Sequence, residues 1–183
     1  MNSLHKPPQG NHMYVKALVA LVLLFSSNVF ADEDRAQVLF DFADSKAGTQ
    51  WQTVNDGVMG GRSDGRFSIG DDKTMRFFGT LSLENNGGFA SVRASLKNEF
   101  NDFEGVIISV KGDGNIYSLR FRTDKNFDGI SYQAKFETDP GEWKEYKIPF
   151  NYFKPNVRGT ILSNKPRLET KDIKQIAILL SDK

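Results

Sequence analysis

Residues 117–123, YSLRFRT, alternate without a break. Tyr117, Leu119 and Phe121 share one face, and Ser118, Arg120 and Arg122 the other, the period-two signature of a half-buried strand. The chain then turns through 124–129, DKNFDG, and returns through 131–138, SYQAKFET, with Tyr132, Ala134 and Phe136 opposite Gln133 and Lys135. Paired as a hairpin, these strands present Arg120, Arg122, Gln133 and Lys135 on one polar, cationic face. Such a face is either the wet side of an antiparallel sheet or a binding surface, since Arg engages carboxylates with a two-pronged fork.

The same alternation continues outward. Upstream, 38–42 (VLFDF), 66–69, 75–83 (MRFFGTLSL), 89–96 (FASVRASL) and 103–111 read as strands. In 89–96, Phe89, Ser91, Arg93 and Ser95 oppose Ala90, Val92, Ala94 and Leu96. Gly79 inside its strand marks a bulge or a close backbone approach. Downstream, 143–150 (WKEYKIPF) follows Asp139-Pro140-Gly141, then a looser connection over 151–170 leads to a last apolar run, 172–180 (DIKQIAILL). About ten strands separated by turn residues, with no convincing helix, predict one all-β sandwich or barrel domain.

Two glycine-rich stretches interrupt this rhythm: 51–66, WQTVNDGVMGGRSDGR, and 84–93, ENNGGFASVR. Gly alternating with Asn, Asp and Ser shapes tight loops. Their polar residues either satisfy the loops' own backbone or line a ligand. Candidate ligand- or partner-binding residues from these loops and the cationic face are Trp51, Asn55, Asp56, Met59, Arg62, Ser63, Glu84, Asn85, Asn86, Arg93, Arg120, Arg122, Tyr132 and Gln133.

At the N-terminus, Lys6, His12 and Lys16 precede the nine-residue apolar run 17–25, ALVALVLLF. Small residues ending at Val29-Phe30-Ala31 and an acidic 32–34 complete the layout of a secretory signal. The expectation is a signal peptide over 1–31, with translation starting at Met1 or Met13. A single domain over 32–183 would then be exported to the periplasm or cell envelope. Its removal leaves about 150 residues, enough for one domain that buries roughly 68–70 % of its unfolded surface. The formal net charge of +1 turns slightly negative without Lys6 and Lys16, which argues against a nucleic-acid partner.

The chain has no Cys and two His, and both His5 and His12 fall in that leader. A processed chain would lack imidazole and thiol alike, removing the usual Ser-His-Asp and Cys-His nucleophiles and zinc or copper sites built on them. The expectation is a non-enzyme without cofactor or metal. Asp124-x-Asn126-x-Asp128-Gly129 copies the start of a calcium loop, but position twelve is Lys135 where a bidentate Glu is needed; a hairpin turn is the better reading. Asp71-Asp72 and the Glu142/Glu145 pair read as solvated carboxylates.

The phrases VNDGVMGGRSDGRF, FGTLSLENNGGFASVR, KGDGNIYSLRFRT, SYQAKF, GEWKEYKIPF and KPNVRG stand in the order and spacing of the complex I intermediate-associated protein 30 family, which the chain resembles from about Leu39 to Lys183. The resemblance implies a galactose-binding-domain-like jelly roll of two antiparallel sheets. It also implies a chaperone-like part in assembling NADH:ubiquinone oxidoreductase, with no catalytic residues. The family pattern continues past Ser181-Asp182-Lys183 into one more strand, so either the sequence is a piece of a longer one or one sheet is a strand short. The leading expectation is a binding protein for a protein partner, itself a membrane or redox assembly. The alternative is a carbohydrate-binding module, with Trp51, Trp143 and Tyr132 as stacking faces and Asn55, Asp56 and Glu84 taking hydroxyl hydrogen bonds.

Overall fold

The computed structural model describes residues 12–26, 35–44, 46–97, 100, 103–126 and 129–182. The described chain is a β-sandwich with no α-helix; five short 3-10 turns supply the only helical backbone. Its strands are β1 (His12–Ser26), β2 (Arg35–Asp41), β3 (Trp51–Thr53), β4 (Asp64–Ile69), β5 (Met75–Ser82), β6 (Phe89–Ser95), β7 (Gly105–Lys111), β8 (Ile116–Arg122), β9 (Ser131–Glu137), β10 (Trp143–Pro149), β11 (Lys154–Val157), β12 (Thr160–Ile161) and β13 (Gln175–Ser181). One sheet has the order β10-β7-β1-β5-β4, with β2 also paired to β1; the other runs β12-β11-β9-β8-β13-β6-β3. All of these strand pairs are antiparallel. This is the galactose-binding-domain-like jelly roll.

The alternation read from the sequence decides which side chains enter the core. In the seven-stranded sheet Ala94, Ile176, Phe121 and Tyr132 lie in one transverse row, and Val92, Ile178, Leu119 and Ala134 in the next; all are buried. Aromatic rings fill the centre, with Phe121 against Phe153 at 4.9 Å and Phe150 at 5.8 Å between ring centroids. Sheet pairs of this kind derive most of their stability from such inward rows, roughly 1.5–3 kcal/mol per large side chain removed from water.

The apolar run expected as a leader is part of the sandwich. Residues 12–19 pair with β5, 18–25 with β7 and 21–26 with β2. Val19 and Leu24 have no exposure, and Phe25 is buried. A continuous apolar run is what a strand buried in the middle of a sheet requires. His12 opens this strand, so the exclusion of imidazole chemistry, which assumed its removal, does not apply to the chain with β1 in place. The expected cleavage point at Ala31 lies outside the described residues.

Two strands hide in stretches expected to be loops. The connection 151–170 contains β11 and β12, joined by a turn in which Arg158 (φ 48°) and Gly159 (φ 91°) are both left-handed. Gly79 makes the close approach expected of it: at φ 150° a Cβ there would lie 1.9 Å from the Asp64 carbonyl oxygen. Gly79→Ala should therefore lower stability by about 2–3 kcal/mol, measured as a shift in the urea midpoint at unchanged slope. Among the described residues no helix is long and apolar enough to cross a membrane.

Candidate functional site

The outward face of the seven-stranded sheet forms the floor of a cleft of about 820 Å³. Strand register builds that floor. Across neighbouring strands the pairs Gln52–Arg93, Arg93–Ala177, Ala177–Arg120, Arg120–Gln133 and Gln133–Lys154 make one transverse row. Gln175 pairs with Ser95 on one side and Arg122 on the other in the adjacent row. Ala177 contributes only a methyl group between Arg93 and Arg120. A hollow of about 10 Å³ opens where Arg93, Arg120, Arg122, Gln175 and Ala177 meet.

The guanidinium groups are held from the side. Arg93 Nε donates to Ser91 Oγ at 3.2 Å, and Ser91 Oγ in turn donates to the Val54 carbonyl at 2.5 Å. An Arg120 terminal nitrogen donates to Gln133 Oε1 at 2.9 Å, while Arg120 Nε is buried with no hydrogen-bond partner. Arg122 reaches the Gly129 carbonyl at 3.3 Å. Burial, with Arg122 and Arg120 as positive neighbours, lowers the Arg93 pKa to about 10; burial and Arg122 lower Arg120 to about 10. Both remain charged at neutral pH. No Asp or Glu lines the cleft among the described residues, and Arg158 adds a fourth arginine to its lining.

The two glycine-rich stretches meet to form one rim, and a carboxylate joins them. Asp56 has no exposure. It accepts hydrogen bonds from Ser63 N (2.9 Å), Ser63 Oγ (2.5 Å), Gly88 N (2.6 Å) and Phe89 N (3.2 Å). Burial pushes this carboxyl up, but the Ser63 hydroxyl and the Gly88, Ser63 and Phe89 amides together outweigh it and hold it below the usual carboxylate value. Gly87 must be glycine for this contact, because a Cβ would sit 2.6 Å from Asp56 Oδ2. Asn85 Nδ2 donates to the Gly60 carbonyl at 3.1 Å, and Arg62 pairs with Glu84 at 2.7 Å on the exposed outer side. An exposed pair of this kind contributes little; Arg62→Ala should change stability by less than about 0.5 kcal/mol, read from thermal melts.

The structure divides the candidate residues. Asn55, Met59, Asn86, Arg93, Arg120 and Arg122 line the cleft, and Gln133 lies beside it as the partner of Arg120. The other seven candidates do not line it. Trp51 is 5 % exposed, because its register opposite Ala94 turns the ring inward against Phe40 (4.9 Å) and Phe42 (6.0 Å). Tyr132 is 6 % exposed in the inward row beside Phe121. Asp56 and Ser63 are consumed by each other and by loop amides. Arg62, Glu84 and Asn85 brace the rim without lining the cleft. Trp143 is half-exposed, but on β10 at the edge of the other sheet.

Sequence reasoning missed Gln52, Phe89, Ser131, Leu179 and Arg158, which also line the cleft. Gln52 and Leu179 were legible as the outward partners of inward neighbours; Arg158 gave no signal, lying in what read as a loose connection. No group of three or more metal-ligating side chains comes together among the described residues. At the calcium-like stretch, Asp124 Oδ1 instead accepts from the Asn126 amide at 2.9 Å, a local turn contact.

The jelly-roll sandwich, with a polar cleft across one sheet, defines a structural class. The solved structure of a family 11 carbohydrate-binding module from a cellulosomal cellulase of Clostridium thermocellum shares this fold, with a TM-score of 0.51 and 16 % identity over 72 % of this chain and 78 % of that one. Within the class, residues 40–183 match the Complex I intermediate-associated protein 30 family, and the chain belongs to it. A relative in Mus musculus, named complex I intermediate-associated protein 30, mitochondrial, is 24 % identical over 82 % of this chain and 52 % of its own length. A Caenorhabditis elegans relative, named as a probable mitochondrial member, is 27 % identical over 62 % of this chain and 39 % of its own. The chain thus spans about half or less of the length of these curated relatives.

These relatives overturn the expectation of a periplasmic or envelope location, because they are named as mitochondrial proteins. The physical basis of that expectation was the apolar run 17–25, which stands in the sheet as part of β1. That strand lies outside the residues that match the family.

Proposed function

We propose that this protein is a non-enzymatic binding protein with an assembly-factor or chaperone-like role toward NADH:ubiquinone oxidoreductase, holding a protein partner in the cleft over its seven-stranded sheet. The observation that carries this reading is the cleft itself: a hydrogen-bonded floor on strands, an exposed apolar rim at Val58 and Met59 (74 % and 51 % exposed), and no acid–base pair in its lining among the described residues. The family supports it, since the named relatives are complex I intermediate-associated proteins. Rigid strands positioning a polar floor are suited to recognition without turnover.

Carbohydrate binding is a second reading that the fold alone favours. Sugar rings stack on exposed aromatic faces, and Phe89 is the only aromatic side chain lining the cleft among the described residues. Trp51 and Tyr132 are committed to the core. Four arginines and a single ring suit a charged partner better than a neutral glycan.

The test is recovery of the tagged full-length protein from its own cells under native conditions. Enrichment of NADH:ubiquinone oxidoreductase subunits over a control of matched size and charge is the expected outcome. Recovery of none above that control overturns the proposal.

A further inference from the structure

Charge and apolar surface lie side by side in the cleft. Positive charge gathers where Arg93, Arg120 and Arg122 meet around Ala177 and continues along the cleft to Arg158 on the β11–β12 turn. Apolar side chains accompany that charge along the same surface, with Val58 and Met59 on the rim and Leu179 on the floor. A single small anion at the Arg93–Arg120–Arg122 convergence would leave Arg158 and the apolar contacts of the cleft unused. Charge spread along a cleft beside apolar contacts suits an extended ligand carrying several anionic groups interspersed with hydrophobic ones.

We infer that the cleft binds an acidic polypeptide segment, its carboxylates meeting Arg93, Arg120, Arg122 and Arg158 and its apolar side chains resting on Val58, Met59 and Leu179. This rests on the protein-partner reading above and names the chemistry of the partner. Arg120 is the best-prepared member. Its side chain is oriented by Gln133, and its buried Nε has no partner, leaving a donor that a carboxylate satisfies. A buried donor without a partner is costly, so a carboxylate there restores what the folded protein forgoes. The hollow beside Ala177 is lined by Arg93, Arg120 and Arg122 together. Arg forks bind carboxylates through paired, charge-assisted hydrogen bonds.

The experiment uses the full-length protein and a labelled eight-residue peptide of alternating Glu and Leu, with a Gln and Leu peptide and inorganic phosphate as comparison probes. The expected result is saturable binding of the Glu peptide that weakens as salt rises and is not matched by the Gln peptide. Ala177→Leu, which fills the space between Arg93 and Arg120 without altering charge, should weaken it about tenfold or more. Arg158→Glu, at an exposed turn position, should weaken it by a similar factor. Equal binding of both peptides overturns the inference, as do unchanged affinities in both variants. So does phosphate that saturates the cleft while the Glu peptide does not bind. If the Ala177→Leu and Arg158→Glu double variant still recovers the same subunits from cells, the inference fails and the proposed function stands; if the wild-type protein recovers none, the proposed function fails instead.

Discussion

The Asp56→Ala variant is expected to melt about 8–16 °C below the wild-type chain, the effect of losing roughly 4 kcal/mol in a protein of this size. The substitution deletes a fully buried carboxylate that accepts four hydrogen bonds. It leaves the amides of Ser63, Gly88 and Phe89 and the Ser63 hydroxyl without their acceptor. Hydrogen bonds to a charged group contribute about 1.5–3 kcal/mol each, and partial relaxation of two glycine-rich loops recovers some of the total. Asp56→Asn should lose most of the same stability, because its NH2 would face amides that also donate.

The sign of the pH dependence follows from the same site. A carboxyl held below its ordinary value contributes stability above its unfolded pKa and loses it as pH falls through the folded pKa. The Asp56 carboxyl is lowered in the fold. The stability gap between wild type and Asp56→Asn should therefore be full near neutrality and narrow below about pH 4. Urea midpoints measured across that range check it; a gap that stays constant into acid would mean that Asp56 is not the charged anchor of the rim.

A variant lacking residues 1–31 should give the second large effect. Without β1, the edges of β5 and β7 lose their hydrogen-bond partner along most of their length. The buried side chains Val19, Leu24 and Phe25 are lost with it, removing roughly 1.5–3 kcal/mol each. Two open apolar edges invite pairing with other chains. The shortened protein should self-associate on size-exclusion chromatography, and its β5 and β7 amides should exchange far faster with solvent. Leu24→Asp in the intact chain is an independent check, since it places a charge at a position with no exposure. A monomeric shortened protein with unchanged melting temperature would show that β1 is dispensable.

Much of the sandwich was legible because its strands are half-buried. In β6, β8 and β9, polar and apolar residues alternate so strictly that the cleft floor follows from the pattern: Arg93, Arg120, Arg122 and Gln133 emerge on the face where alternation puts them. The β1 strand was not legible for the opposite reason. Its nine-residue apolar run carries no period, and a leader and a strand enclosed on both flanks have the same pattern. Short strands β3, β11 and β12 lie among turn residues, where two to four residues cannot establish a period. Loop chemistry was legible only in part. Both glycine-rich stretches read as tight loops, but residue type could not tell Asp56, spent on loop amides, from Asn86, which lines the cleft. Trp51 misled because a ring beside a polar loop looks accessible until its register with Ala94 is known.

The placement of β1 also sets an order of events during synthesis. This strand leaves the ribosome before the strands that pair with it, and its neighbour β7 does not begin until Gly105. At 5–20 residues per second the wait is roughly 4–16 s. The six-stranded sheet cannot close before then, and in the meantime the β7-facing edge of the apolar run 17–25 stays available to any chaperone that shields nascent chains.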